Sequence, residues 1–253
     1  MSFKTDEYGL IGFPLTHSFS QRYFNEKFKS EKIDAVYLNF QLSDIGELME
    51  MLSEHPRLQG FNVTLPYKEH IIPYLDEIDP KAKEIGAVNV VKIQHLPGGD
   101  IRLKGFNSDY IGFRDSIVPL LKEGPHSALV LGTGGASKAV KVALKSIGVN
   151  ISMVSRNMKP GVDYTYEMLT EEVMKSHDII VNTTPVGMYP HSEECPPIPY
   201  EYITPDHILY DLIYNPDVTT FMKLGADQGA TTKNGLEMLL LQAFESWNIW
   251  KSK

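Results

Sequence analysis

Apolar positions along the chain fall into short runs that alternate with stretches at helical spacing. Residues 8–13 read as a strand, and a helix starting near Ser18 follows, with Phe19, Tyr23, Phe24 and Phe28 as its buried stripe. A second unit pairs a strand over 36–42 with a helix capped by Ser43, whose inward face is Ile45, Leu48, Met49 and Leu52. A third runs from a strand over 60–65 into a helix opened by Pro66. Strand and helix in alternation predict a largely parallel sheet with helices on its faces. Runs over 88–93 and 101–106 then flank Pro97-Gly98-Gly99-Asp100, which predicts a hairpin and breaks the series.

A second series begins after the hairpin. Residues 128–131 form a buried strand, 132–135 a glycine turn, and Ala136, Ala139, Val140, Ala143, Leu144 and Ile147 one helical face. Further strands are predicted over 149–154, 179–182 and 208–213. A final helix over 235–250 is apolar on the side of Leu236, Leu239, Leu240, Ala243 and Trp247. The fold class is therefore α/β.

Composition narrows the function without fixing it. At 253 residues, 42% hydrophobic and 22% charged, the chain has ordinary globular make-up and room for one large domain or two smaller ones. A net charge of -8 with no basic stripe argues against nucleic acid as a partner. The single cysteine, Cys195, cannot close a disulfide within the chain, and no Cys/His cluster or HExxH pattern offers a metal site, so none is expected. Polar residues at 4–7 and the lack of a long apolar run predict a soluble, cytoplasmic protein with no membrane partner.

Chemistry concentrates at turns. Gly132-Thr133-Gly134-Gly135-Ala136 joins a strand to a helix, where glycines admit a tight turn and backbone amides can approach a pyrophosphate. Such a turn can also serve only helix–sheet packing. About 20 residues on, where NAD-binding folds place a carboxylate for the ribose hydroxyl, the chain has Ser155-Arg156-Asn157-Met158-Lys159. A cation there suits a 2′-phosphate, so the expected cofactor is NADP. Ser18 and Ser20 set two hydroxyls at a helix start, a place that suits an anion or a plain cap. Taken alone, Lys68 reads as a solvated helix lysine, and Asp109 as a capping residue.

Together these segments resemble the shikimate dehydrogenase family along nearly the whole chain. The likeness is carried by residues 12–20, by Asn62-Val63-Thr64-Leu65-Pro66-Tyr67-Lys68, by Gly86-Ala87-Val88-Asn89 and by Gly105-Phe106-Asn107-Ser108-Asp109. It continues through the glycine turn, Asn182-Thr183-Thr184-Pro185-Val186-Gly187-Met188, Asp211-Leu212-Ile213-Tyr214-Asn215-Pro216 and residues 235–242. Val90 and Ser108 stand where the family commonly has threonine, and Ser155 and Asn157 flank Arg156 where it has Asn and Thr or Ser.

The resemblance implies NADP-dependent interconversion of 3-dehydroshikimate and shikimate, in aromatic amino acid and chorismate biosynthesis. By it, Ser18 and Ser20 hold the substrate carboxylate; Thr64, Asn89, Asp109 and Gln242 hold ring hydroxyls; Lys68 and Asp109 form the catalytic pair. Gly132, Gly134, Gly135, Ala136 and Arg156 bind the cofactor, with Tyr214, Gly235 and Met238 near the nicotinamide. The implied organisation is a substrate domain, 1–104 plus 235–253, and a Rossmann-like NADP-binding domain, 105–234, with the last helix packing back on the first. The partner is the small-molecule substrate, and the assembly a monomer or homodimer. Competing readings are a dual quinate/shikimate enzyme, a non-catalytic sensor of the same fold, and a nucleotide-binding transferase. The sensor reading expects loss of Lys68 or Asp109, and the transferase leaves Lys68, Asp109 and the paired serines without a role.

Overall fold

The computed structural model describes residues 5–15 and 19–252. The chain divides into two compact units, one reaching from the start to Ser108 and resuming at Ala243, the other Asp109–Gln242. Among the described residues no helix is long and apolar enough to cross a membrane.

The first unit contains β1 (Asp6–Gly12), α1 (Phe19–Ser30), β2 (Ala35–Gln41), α2 (Leu48–Glu54), β3 (Leu58–Val63), β4 (Glu77–Ile78), α3 (Pro80–Ile85), β5 (Val90–His95) and β6 (Ile101–Phe106). Its sheet runs β2-β1-β3-β5-β6-β4. The β2, β1 and β3 strands are parallel, whereas β5 opposes both β3 and β6. The expected hairpin is thus β5–β6. Alternation along β1 sends Ile11 into the core on one face and Tyr8 and Leu10 into that on the other.

Three local expectations are corrected. Ser43 is not the cap: Asp44 is, accepting from the amide of Gly46 in a capping box with Glu47 that opens a 3-10 turn before α2. That tight turn rotates the helix, so Leu48, Met51 and Leu52 point inward and Met49 is exposed. Pro66 opens no helix either. Residues 65–71 form turns, closed by Tyr67 N–H on Thr64 O and Ile71 N–H on Tyr67 O, and a 3-10 turn follows at Ile72–Tyr74.

The second unit contains α4 (Asp109–Ile117), β7 (Ser127–Leu131), α5 (Gly135–Ser146), β8 (Asn150–Ser155), β9 (Tyr164–Thr165), α6 (Glu171–Lys175), β10 (Ile179–Asn182), β11 (Ile208–Asp211), α7 (Thr220–Asp227) and β12 (Thr231–Lys233). The sheet, ordered β12-β11-β10-β7-β8-β9, is parallel throughout. Burial of the central strand β7 on both faces explains its unbroken apolar run Ala128-Leu129-Val130-Leu131. Strand order reverses between β7 and β10. In open parallel sheets ligands bind beyond the carboxyl ends of the strands at such a switch point.

The last helix, α8 (Leu236–Lys251), belongs to both units. Its later turns pack on the first unit as the resemblance implied: Ala243, Ile249 and Trp250 join Tyr8, Phe24 and Tyr37 in one core, and Trp250 Nε1 donates to Val91 O at 3.0 Å. The expected apolar side is only partly buried. Leu236 is exposed and Trp247 half-buried, while Met238, Ile249 and Trp250 are covered.

Candidate active site

At one end of the first sheet the chain makes three close backbone links. Thr64 N–H donates to Ile11 O, Val63 N–H to Asn89 O at 2.9 Å, and Asn89 N–H to Phe106 O at 3.0 Å. The ends of β1, β3 and β6 and the start of β5 therefore lie together. Lys68 is tied to the same place through Val88 N–H, which donates to Lys68 O at 2.7 Å. Thr64, Lys68 and Asn89 are gathered there. Lys68 is half-buried, whereas Asn89 is buried, its Oδ1 accepting from Ser108 N–H at 2.7 Å and its Nδ2 donating to Ser108 Oγ at 3.1 Å.

Ser20, in the first turn of α1, hydrogen-bonds the hydroxyl of Tyr37, and that hydroxyl donates to Asn62 Oδ1 at 2.7 Å. Full burial pushes the Tyr37 phenol well above its ordinary range. Ser18 lies outside the described residues.

Asp109 and Gln242 fall in the second unit. Asp109 is buried at the start of α4, where a carboxylate complements the helix dipole. One turn on, at Gly112, α4 crosses α8 so closely that an added Cβ would lie 2.6 Å from Met238 O and 3.1 Å from Gln242 N.

The glycine turn stands at the carboxyl end of β7, on the switch point. Gly132 has φ +106°, a conformation L residues rarely adopt, and an added Cβ would meet Thr183 Oγ1 and Thr184 Cγ2 at 2.9 Å. At Gly134 the same atom would meet open space. Gly134 is the N-cap of α5 and supplies no side-chain cap, so the first-turn amides at Gly135 and Ala136 face a place an anion suits. Arg156, just past β8, is exposed and near enough to Tyr166 to oppose the burial that raises that phenol's pKa. Lys159 Nζ donates to Thr133 Oγ1 at 2.8 Å, so this cation reaches the turn itself. An uncapped helix start, open space at Gly134 and these two cations fit a phosphorylated dinucleotide.

Beyond β11 the backbone passes Gly235 so tightly that a Cβ there would lie 2.0 Å from Leu212 O; Gly235 N–H donates to Ile213 O at 3.0 Å. This brings Tyr214 and Gly235 to one place. Tyr214 is partly exposed, and burial of its hydroxyl raises its pKa. Met238 is buried in the core with Phe113 and Tyr210.

Asp211 is a part of this region to which the residue-by-residue reading gave no role. Fully buried, it accepts from Thr219 Oγ1 at 2.7 Å, Ile213 N–H at 3.0 Å and Asn182 Nδ2 at 3.1 Å. It joins the ends of β10 and β11 to the start of α7. Burial pushes its pKa up to about 6, against the three donors that favour the carboxylate. A shallow groove of about 800 Å³ between Tyr166, Leu169, Ile198 and Tyr202 contains none of these residues.

The chain is similar to known proteins along nearly its whole length. Residues 10–91 match the family described as shikimate dehydrogenase substrate binding domain. The chain is 40% identical over 268 residues to a shikimate dehydrogenase (NADP(+)) of Methanococcus maripaludis, covering 99% of this chain and 93% of that one. The crystal structure of shikimate dehydrogenase from Aquifex aeolicus superposes with a TM-score of 0.86 at 36% identity, over 99% of this chain and 94% of the other. That of the Thermus thermophilus enzyme, in complex with NADP(H) and shikimate, gives 0.84 at 29% identity, over 97% and 93%.

Proposed function

The chain belongs to the shikimate dehydrogenase family and is an NADP-dependent oxidoreductase; we propose that it reduces the ketone of 3-dehydroshikimate to shikimate, reversibly, with the residues assigned as follows. Lys68 donates the proton to the oxygen that becomes the alcohol, and as an ammonium it stabilises negative charge developing there. Asp109 is its partner in proton transfer. Ser18 and Ser20 hold the carboxylate of the substrate, and Thr64, Asn89, Asp109 and Gln242 its ring hydroxyls. NADPH supplies the hydride when bound. The chain orients it through the first-turn amides of α5 behind Gly132, Gly134, Gly135 and Ala136, through Arg156 on the 2′-phosphate, and through Tyr214, Gly235 and Met238 beside the nicotinamide.

The observation that carries the reading is the gathering of Thr64, Lys68 and Asn89 at one end of the first sheet by backbone hydrogen bonds. A lysine among neutral hydrogen-bonding groups suits a polyhydroxylated ketone better than a phosphate, which calls for several cations. The test follows NADPH absorbance with 3-dehydroshikimate, then the reverse reaction with shikimate and quinate against NADP+ and NAD+. Turnover of shikimate with NADP+ is expected. No turnover of either substrate with either cofactor refutes the assignment, and equal turnover of quinate makes the enzyme one of dual specificity.

A further inference from the structure

A run of hydrogen bonds in the first unit starts at Tyr37 and ends at Asn89. Tyr37 donates to Asn62 Oδ1 at 2.7 Å, and Asn62 Nδ2 donates to Ser246 Oγ at 2.9 Å and to Asn89 O at 3.2 Å. Ser246 Oγ lies 3.4 Å from Ser108 Oγ. Tyr37, Ser108 and Ser246 are fully buried and Asn62 half-buried, so the link between Ser246 and Ser108 is the one most shielded from water.

The direction of the run is set by groups that cannot change role. The Asn89 carbonyl only accepts, so the Asn62 amide must turn its nitrogen toward it and toward Ser246. Ser246 accepts from Asn62, and its hydroxyl and that of Ser108 share one hydrogen bond that either can donate. At the far end Ser108 N–H only donates, which fixes the atom it meets as Oδ1 of Asn89. The Asn89 amide is therefore clamped on Ser108 through both Oδ1 and Nδ2, and the Ser108 hydroxyl in turn leans on Ser246.

We propose that Ser246, oriented by Asn62, is a positioning residue that holds the Ser108 hydroxyl under Asn89 Nδ2, so that the Asn89 amide, whose sense the Ser108 N–H already sets, is kept at the angle at which it meets the substrate. The inference rests on the reading of Asn89 as a substrate-binding residue. Ser246 takes no part in the reaction itself. It acts through Ser108, and through it on the residue that tells one ring hydroxyl pattern from another.

The test is steady-state kinetics of the full chain with shikimate and NADP+, beside thermal unfolding. Ser246→Ala is expected to raise KM for shikimate by about five- to tenfold, the scale of one neutral hydrogen bond, with kcat and KM for NADP+ within about twofold. Ser108→Ala should do the same, and Ser108→Thr, which keeps the hydroxyl, should restore the wild-type KM. In an Asn89→Ala background Ser246→Ala should add nothing. A wild-type KM in Ser246→Ala, or an undiminished effect in the Asn89→Ala background, overturns the inference, as does lower thermal stability with KM unchanged. Should Ser246→Ala fail to fold, the contrast between Ser108→Ala and Ser108→Thr decides. If Asn89→Ala itself has the wild-type KM, the assignment of Asn89 falls and the inference with it; if Asn89→Ala raises KM and Ser246→Ala does not, only the inference falls.

Discussion

Two glycines in the turn after β7 separate a residue needed by the fold from one needed by the cofactor. Gly132→Ala places a methyl at φ +106°, 2.9 Å from Thr183 Oγ1 and Thr184 Cγ2. The backbone strain costs about 1–3 kcal/mol. Relief of the contact moves Thr183, whose hydroxyl donates to Leu131 O at 2.6 Å, and loss of that bond adds about 1 kcal/mol. The expected destabilisation is therefore about 2–4 kcal/mol. Gly134→Ala has φ -83° and open space, so its stability should fall by less than about 1 kcal/mol, the cost of alanine at an N-cap. The same open space is where a pyrophosphate must approach the α5 amides. Two charge-assisted bonds lost there, at about 1.5–3 kcal/mol each, weaken NADP+ binding by roughly a hundredfold or more. Urea unfolding and calorimetric titration with NADP+ measure both effects. Wild-type NADP+ affinity in Gly134→Ala would refute the phosphate role of the turn, and wild-type stability in Gly132→Ala the steric argument.

Lys68→Ala should lower kcat by at least roughly a hundredfold with a smaller change in KM; near-normal kcat removes Lys68 from the chemistry. Arg156→Asp should reverse the preference for NADP+ over NAD+, measured as kcat/KM at two ionic strengths, and the wild-type preference should shrink as salt rises because Arg156 is exposed. An unchanged ratio makes Arg156 a surface charge only. Asp211 titrates near pH 6 in the folded protein against 3.8 as its ordinary value, so the folded state binds its proton more tightly than the unfolded chain. Its contribution to stability is therefore lost as pH rises from about 4 to 6, by up to about 3 kcal/mol. Urea midpoints should show Asp211→Asn gaining on wild type across that interval, and a constant difference between the two refutes the shift.

What the sequence made legible were features written in neighbouring residues. The glycine turn, the β5–β6 hairpin and the buried run of β7 each follow from a local pattern of glycine, proline or apolar residues. Pro66 misled because a helix-opening proline and a proline in a series of turns look alike until the carbonyl acceptors are known. Ser43 and Asp44 are equally good caps by type, and a one-residue shift with a 3-10 turn was enough to expose Met49. Within the candidate site, residue type and order pointed to Lys68, Asn89 and Asp109 only through the family resemblance. Asn62 stands in a motif that carries the resemblance yet drew no role, and Ser246 escaped both routes. They meet across 184 positions, and a serine inside an apolar helix carries no periodic signal of its partner.

The helix shared by the two units also fixes an order of events. The second unit is one continuous stretch, Asp109–Gln242, flanked by the two pieces of the first. On the ribosome every strand of the first sheet emerges before it, yet Ala243, Ile249 and Trp250, which complete the core around Tyr8, Phe24 and Tyr37, emerge after it. The first unit must wait with an aromatic face uncovered while the second is synthesised, and the indole that closes it on Val91 arrives among the last residues of the helix. Nascent chains halted before Ala243 would display that face to chaperones, and those extended past Trp250 would not.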